Sequence, residues 1–309
     1  MKIFVMLIAI LFLIPSALAS NSSSSRYFYS GDGKIHIKGA KSGASFKGQY
    51  RNPDATYDET AIRKIQQTFS ARYGDPLSEI SPRFIEFLDY LEDRFKPGTK
   101  ITIISGYRSP TYNTNLRNKG RLAAKASMHQ YGMAADIQMQ GVNPKDIWNY
   151  VKDLGFGGAG YYQGTNVHLD VGPARFWDQT SSKVGTGIAD DNKLIEIVTD
   201  RDIYKPGEDM RMRFIRMTLF PVGVKNTFLL ERKDKKEKWK PITEFKPAFV
   251  VPTNGICTNL ADIAEMLNIG WKLPSKIKPG EYKITVSFCG EMPEGMPASI
   301  KTSTFKVIK

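Results

Sequence analysis

Hydrophobic positions along this chain change period several times, and the changes divide it. Thr56 with Glu59 three residues on forms a capping-box signature, and Ile62, Ile65, Phe69 and Tyr73 follow at helical spacing. That pattern predicts a helix with one buried face. Ser81-Pro82 supplies an N-cap and a first-turn proline for a second helix, whose Ile85, Leu88, Leu91 and Phe95 point inward until Pro97-Gly98 ends it. Residues 101–104 read as a buried strand running into Ser105-Gly106, and Asn143-Pro144 opens a helix that stops near Gly155. From Arg26 to about Trp177 this alternation of short strands and amphipathic helices is that of an α+β domain.

After Trp177 the composition turns polar and rich in Gly and Ser, and residues 179–193 read as a linker. Beyond it, residues 194–199, 209–219, 226–232, 238–245, 280–288 and 300–308 are β-rich runs. Turn signals such as Lys205-Pro206-Gly207 and Lys278-Pro279-Gly280 separate them. Residues 194–309 are therefore expected to form a small all-β, immunoglobulin-like sandwich with one helix near 260–268. Such a unit suits binding or targeting, and the polar linker predicts that the two domains are separable.

Lys2 precedes an apolar run from Ile3 to Ile14, with Pro15 and Ala17-Leu18-Ala19 after it, so residues 1–19 read as a secretory signal peptide. The run falls short of the roughly 20 residues that span a bilayer. Residues 20–25 form a Ser-rich spacer. The expected location is periplasmic or extracellular, with no transmembrane segment after signal cleavage. Charge adds a preference among partners, since 44 Lys and Arg against 31 Asp and Glu leave a formal +13. Such a chain is drawn to polyanions. Export sets nucleic acid aside and makes anionic envelope polymers the expected partners. Cys257 and Cys289 are oxidisable in that setting, and both a disulfide and two separate thiols fit the spacing.

The chain holds three histidines, and two stand among small and acidic residues: His129 in a segment running from Ser127 to Asp136, and His168 in Asn166-Val167-His168-Leu169-Asp170. A catalytic zinc site commonly takes three protein ligands and leaves a fourth position for water, a count that two His and one Asp meet. Ala134, Asp136 and Gln138 share one face of an expected strand, and His168 and Asp170 share one face of another. Neighbouring strands would bring Asp136 and His168 together. His36, in the alternating segment Lys34-Ile35-His36-Ile37-Lys38, has no partner of this kind and reads as a surface or edge-strand residue.

The spacing Ser127-x-His129-x-x-Gly132-x-Ala134-x-Asp136 resembles the zinc-binding signature of the M15 peptidases. Arg26–Gly33, Ser105–Pro110 with Asn113, Gly157–Tyr162, and Val167–Gly172 continuing to Trp177 resemble the YcbK-like (DUF882) branch of that family. The resemblance covers about residues 26–178 and implies an M15/hedgehog-like α+β fold. Its implied site is one Zn2+ per chain on His129, Asp136 and His168. The implied reaction is metal-assisted hydrolysis of amide bonds in peptidoglycan peptides, by an endopeptidase or a D,D- or L,D-carboxypeptidase. A non-catalytic, zinc-containing wall-binding module is the alternative.

Arg108 resembles the family arginine that holds a substrate carbonyl or carboxylate. Tyr107, Asn113 and Ser127 are candidate substrate contacts. Many relatives carry an acidic residue three positions before the last His ligand, where this chain has Thr165. Asp170 is the nearest carboxylate. It is the candidate general base, or else a hydrogen-bond partner of a ligand imidazole.

Overall fold

The computed structural model describes residues 25–120, 123–178, 181, 195–215, 221–253, 255–292 and 294–309. The expected leader, the spacer before Ser25 and the linker apart from Ser181 lie outside the described residues, as does the end of the run expected over 209–219. Among the described residues no helix is long and apolar enough to cross a membrane.

The first half is built on a seven-stranded mixed sheet. Its strands are β1 (Lys34–Gly39), β2 (Ser45–Gln49), β3 (Ile101–Ser105), β4 (Ala134–Met139), β5 (Gly158–Tyr161), β6 (Val167–Asp170) and β7 (Arg175–Asp178), in the order β2-β1-β3-β4-β6-β5-β7. Alternation gives each strand one apolar side. Ile35 and Ile37, Ile101 and Ile103, Ala135 and Ile137, and Val167 and Leu169 enter a common core. Helices cover that side: α1 (Glu59–Thr68) through Ile62 and Ile65, α2 (Pro82–Phe95) through Phe84, Leu88 and Leu91, and α4 (Pro144–Leu154) through Ile147 and Val151. A further helix, α3 (Pro110–Asn118), follows β3 and buries Asn113.

Helix starts follow the sequence closely, with one correction. Ser81 and Asn143 are the N-caps of α2 and α4, each followed by proline, and α4 ends at Gly155 in the left-handed region. The cap of α1 is Asp58, whose side chain accepts from Ala61 N at 2.7 Å, whereas Thr56 bonds to Asp54. That helix also ends sooner than the apolar spacing suggested. Ser70 at φ 59° turns the chain away after Phe69, so Tyr73 lies beyond the helix with Arg63 stacked over its ring.

Among the described residues the regular elements of the second half are all strands apart from α5 (Ile263–Met266). A three-stranded sheet joins β8 (Glu196–Thr199), β10 (Asp209–Ile215) and β15 (Ile269–Lys272). A larger sheet runs β13 (Trp239–Phe245), β12 (Phe228–Lys233), β16 (Gly280–Cys289), β11 (Val222–Lys225), β14 (Cys257–Leu260). The short strands β9 (Ile203–Tyr204), β17 (Ser299–Lys301) and β18 (Phe305–Val307) attach beside it. Ile197, Met210 and Phe214 from the first sheet and Val224, Leu230 and Ile284 from the second share one core. Cys257 and Cys289 form a disulfide that links β14 to β16.

The halves meet on a built interface. Val198 and Ile215 belong to the core of the first half, with Ile263 and Leu267 packed against it. Arg83 on α2 forms a buried ion pair with Asp202 at 2.7 Å, and Tyr27 Oη donates to the Asp200 carbonyl at 3.1 Å.

Candidate metal centre

Strand register assembles the centre of the site. β4 and β6 are antiparallel neighbours with Asp136 directly opposite His168 and Ala134 opposite Asp170. Residues that face each other across such a pair project from the same side, here the side away from the helices. The third member, His129, comes from a short 3-10 turn, Met128–Tyr131, placed just before β4. Three anchors fix that turn. Arg108 N donates to the His129 carbonyl at 3.2 Å, Ser81 N donates to the Gly132 carbonyl at 2.7 Å, and Arg213 Nη1 from the second half donates to the Tyr131 carbonyl at 3.1 Å. Gly132 closes the turn at φ 63°, where a Cβ would stand 2.0 Å from the Glu79 carbonyl oxygen. Only glycine fits there.

Hydrogen bonds determine which ring nitrogens are bare. His129 Nδ1 lies 2.8 Å from the Gly106 carbonyl, which only accepts, so Nδ1 carries the hydrogen and Nε2 keeps its lone pair. His168 Nε2 lies 3.0 Å from Asp170 Oδ2. Asp170 is fully buried, receives both Nη1 and Nη2 of Arg175 at 2.9 and 2.7 Å, and accepts from Gly172 N at 2.9 Å. Burial works against its ionisation, but Arg175 and His168 outweigh burial and hold its carboxyl well below the usual range. An ionised Asp170 makes Nε2 the donor, so Nδ1 is the His168 nitrogen that faces the cluster, either to bind a cation there or to carry a second hydrogen toward Asp136 Oδ1 at 3.0 Å.

His129 Nε2, His168 Nδ1 and Asp136 Oδ1 then converge, 3.2, 3.0 and 3.6 Å apart. Three electron-rich atoms at these separations require a proton or a cation between them. Zinc bonds of about 2.0–2.2 Å in a tetrahedron hold ligand atoms roughly 3.3–3.6 Å apart, so one edge of the triangle matches that ion and the other two need to widen by only a few tenths of an ångström. Burial lowers the His129 pKa, with Asp136 opposing. At His168 burial also lowers it, but the bonds to Asp136 and Asp170 prevail and the net shift is upward. Asp136 sits well below its usual range because the two imidazoles overcome burial.

Arg108 reaches the same group from β3's end. Its Nη2 donates to Asp136 Oδ2 at 2.8 Å and its Nε to Ser105 Oγ at 3.1 Å. The guanidinium is thus first of all the partner of a candidate ligand. Tyr107, Asn113 and Ser127 stand around rather than in the cluster. Tyr107 is half-buried against the core, Asn113 Nδ2 donates to the Ala124 carbonyl at 3.0 Å, and Ser127 is buried as the cap of the 3-10 turn. Thr165 Oγ1 accepts from Gln138 Nε2 at 2.7 Å on the outer surface. His36 lies half-buried on β1, outside the cluster, but β1 is not an edge strand, because β2 pairs on one side of it and β3 on the other.

Sequence reasoning missed Arg175, whose fork fixes Asp170, and Trp177, whose ring centroid is 5.1 Å from that of His168. Period-two alternation from Arg175 to Trp177 was the available signal. A second acidic trio, Asp32, Asp89 and Asp93, also converges, but it has no imidazole, and Asp89 Oδ2 is occupied by Gly33 N and Tyr50 Oη.

The family model described as peptidoglycan L,D-endopeptidase MepK, of the M15 peptidases, matches residues 31–177. The peptidoglycan L,D-endopeptidase MepK of Escherichia coli strain K12 is 31% identical over 144 residues, which are 46% of this chain and 79% of that protein. The chain belongs to this M15 family, in its YcbK-like branch. The probable peptidoglycan L,D-endopeptidase MepK of Haemophilus influenzae is 39% identical over 123 residues, 39% of this chain and 66% of that protein. Among solved structures, the Pseudomonas fluorescens alkylpurine DNA glycosylase AlkC aligns over 40% of this chain and 36% of that one at 14% identity. Its TM-score of 0.24 carries no argument. All members of the candidate metal cluster lie inside the matched segment, and the second half lies outside it.

Proposed function

We propose that this chain is a zinc metallopeptidase that hydrolyses amide bonds in peptidoglycan stem peptides or cross-links. The convergence of two imidazole nitrogens and one carboxylate oxygen carries this reading, and the names of its relatives favour an L,D-endopeptidase over a carboxypeptidase. Zinc held by His129 Nε2, His168 Nδ1 and Asp136 supplies Lewis acidity toward an amide carbonyl and toward water. Gly106 and Asp170 orient the two rings. Arg108 holds Asp136 and presents its remaining N–H groups to a substrate oxygen as negative charge develops there. Asp170, saturated by Arg175, serves as the partner of His168 rather than as the general base.

A second reading keeps the metal without the hydrolysis. Both carboxylates that touch the cluster are engaged, Asp136 with Arg108 and Asp170 with Arg175, and Thr165 offers no carboxylate. That observation favours a non-catalytic wall-binding module. Digestion of purified peptidoglycan with and without chelator, followed by mass spectrometry of the muropeptides, separates the readings. Chelator-sensitive cleavage, absent in His168→Ala, is the expected outcome; a zinc-loaded but inert protein would establish the binding module instead.

Around this centre the proposed organisation is a peptidase domain over residues 26–178, a linker over 179–193 and an immunoglobulin-like sandwich over 194–309 that adds wall affinity. The proposed location is periplasmic or extracellular. The Cys257–Cys289 disulfide supports an oxidising compartment.

A further inference from the structure

Helices cover one side of the seven-stranded sheet, and on the opposite side the described residues leave the outward positions exposed or half-exposed from the candidate metal cluster to the β2 edge. Register defines that side. Asp136 and Gln138 on β4 project from it, Thr102 on β3 stands beside Gln138, Lys38 on β1 beside Thr102, and Lys47 on β2 beside His36. Lys100 precedes β3 on the same alternation and lines a hollow with Thr102, Gln138 and Thr165. Lys38 and Lys47 are exposed and Lys100 is half-exposed. None of the three forms an ion pair among the described residues, whereas Lys34 is paired with Asp32. Beyond Asp136 the outward positions of β1 to β4 carry no carboxylate.

His36 reports the resulting field. Its pKa is lowered, first by burial and then by Lys47, with Lys100 adding to the effect against the Gly98 carbonyl. With strands about 4.8 Å apart and residues about 3.4 Å apart along them, the lysines stand roughly 12–20 Å from Asp136. An extended peptide of about four to six residues covers that span.

We propose that this open face is the substrate's track, and that Lys38, Lys47 and Lys100 select a peptidoglycan stem peptide with free carboxylates, bound extended from the metal cluster toward β2. The inference rests on the peptidoglycan reading above and adds to it a specificity, for acidic over amidated stems. Charge complementarity is the argument, as an uncompensated row of cations on an otherwise neutral polar floor favours an anionic strand and weakens with salt.

The test uses the full zinc-loaded chain and two soluble cross-linked stem-peptide probes, one with free side carboxylates and one amidated. Affinity is measured by anisotropy with each probe, and kcat and KM where cleavage occurs. The unaltered chain should prefer the free-carboxylate probe at low salt and lose the preference at high salt. Lys38→Gln/Lys47→Gln/Lys100→Gln should weaken binding of that probe by about tenfold, as three exposed pairs of twofold to threefold each would, and leave the amidated probe unchanged. The effect should fall on KM, not kcat. Equal loss on both probes, no loss on either, or a loss seen only with a phosphate-rich wall polymer would overturn the proposal. Preferential binding without cleavage would refute the hydrolytic reading and leave the track in place; cleavage without preference would do the reverse.

Discussion

Asp170 shows how a residue's surroundings decide among roles that its chemistry leaves open. A general base works best with a pKa near the operating pH. Asp170 is held far below that by the bidentate Arg175 and the His168 imidazole, so it stays an acceptor across the working range. Asp170→Asn keeps an oxygen for His168 Nε2–H but loses the charge that Arg175 neutralises. The expected result is a roughly 10–100-fold loss of zinc affinity, with turnover largely restored by excess zinc, the size usual for loss of a ligand's partner. A loss of about 10²–10⁴-fold that persists at saturating zinc would instead mark Asp170 as the base. Zinc titration and turnover on the same variant decide it.

Among the elements, the turn carrying His129 is the most constrained. Gly132→Ala places a methyl group against the Glu79 carbonyl in a left-handed conformation, which is expected to cost at least about 2 kcal/mol. Because that turn also aims His129 Nε2, zinc affinity should fall together with the melting temperature. A variant that melts and binds zinc like the parent would show that the turn tolerates another path.

The same elements show what was legible beforehand. Alternation along β4 and β6 placed Asp136, His168 and Asp170 on common faces, and pairing of the two strands then completed the geometry. Helices α2 and α4 were readable because Ser81-Pro82 and Asn143-Pro144 are local signals, whereas α3, which opens on the same signal at Ser109-Pro110, was missed. The partners that orient the rings were not, since the Gly106 carbonyl is backbone and has no side-chain signature. Strands β9, β11, β14 and β15 were missed in the second half, each of four residues or fewer, whereas β8, equally short, was legible because Leu194 and Ile195 extend its apolar run. The disulfide could not be read from two cysteines 32 residues apart, because pairing depends on which strands flank β11.

At the scale of the whole molecule, a polar linker suggested separable halves, whereas the interface ties the second half to the metal cluster. Arg213 holds the Tyr131 carbonyl within the turn that carries His129, Val198 and Ile215 complete the first core, and Asp202 compensates the buried Arg83. Ending the chain at residue 178 removes all three. The Arg83 charge regains water on truncation, so the main losses are apolar cover and the anchor on the turn. The truncated protein is expected to melt several degrees below the full chain, and to hold zinc about tenfold less tightly for want of the Arg213 bond. Arg83→Ala in the full chain should be the harsher test of the interface, because it strands Asp202 and breaking such a pair costs about 3–5 kcal/mol. Calorimetry of both proteins and chelator competition on the truncated one measure these effects. Equal melting and equal zinc retention in the truncated and full chains would show that the second half supports neither the fold of the first nor its candidate metal site; a shortfall in both would make it a structural part of that unit.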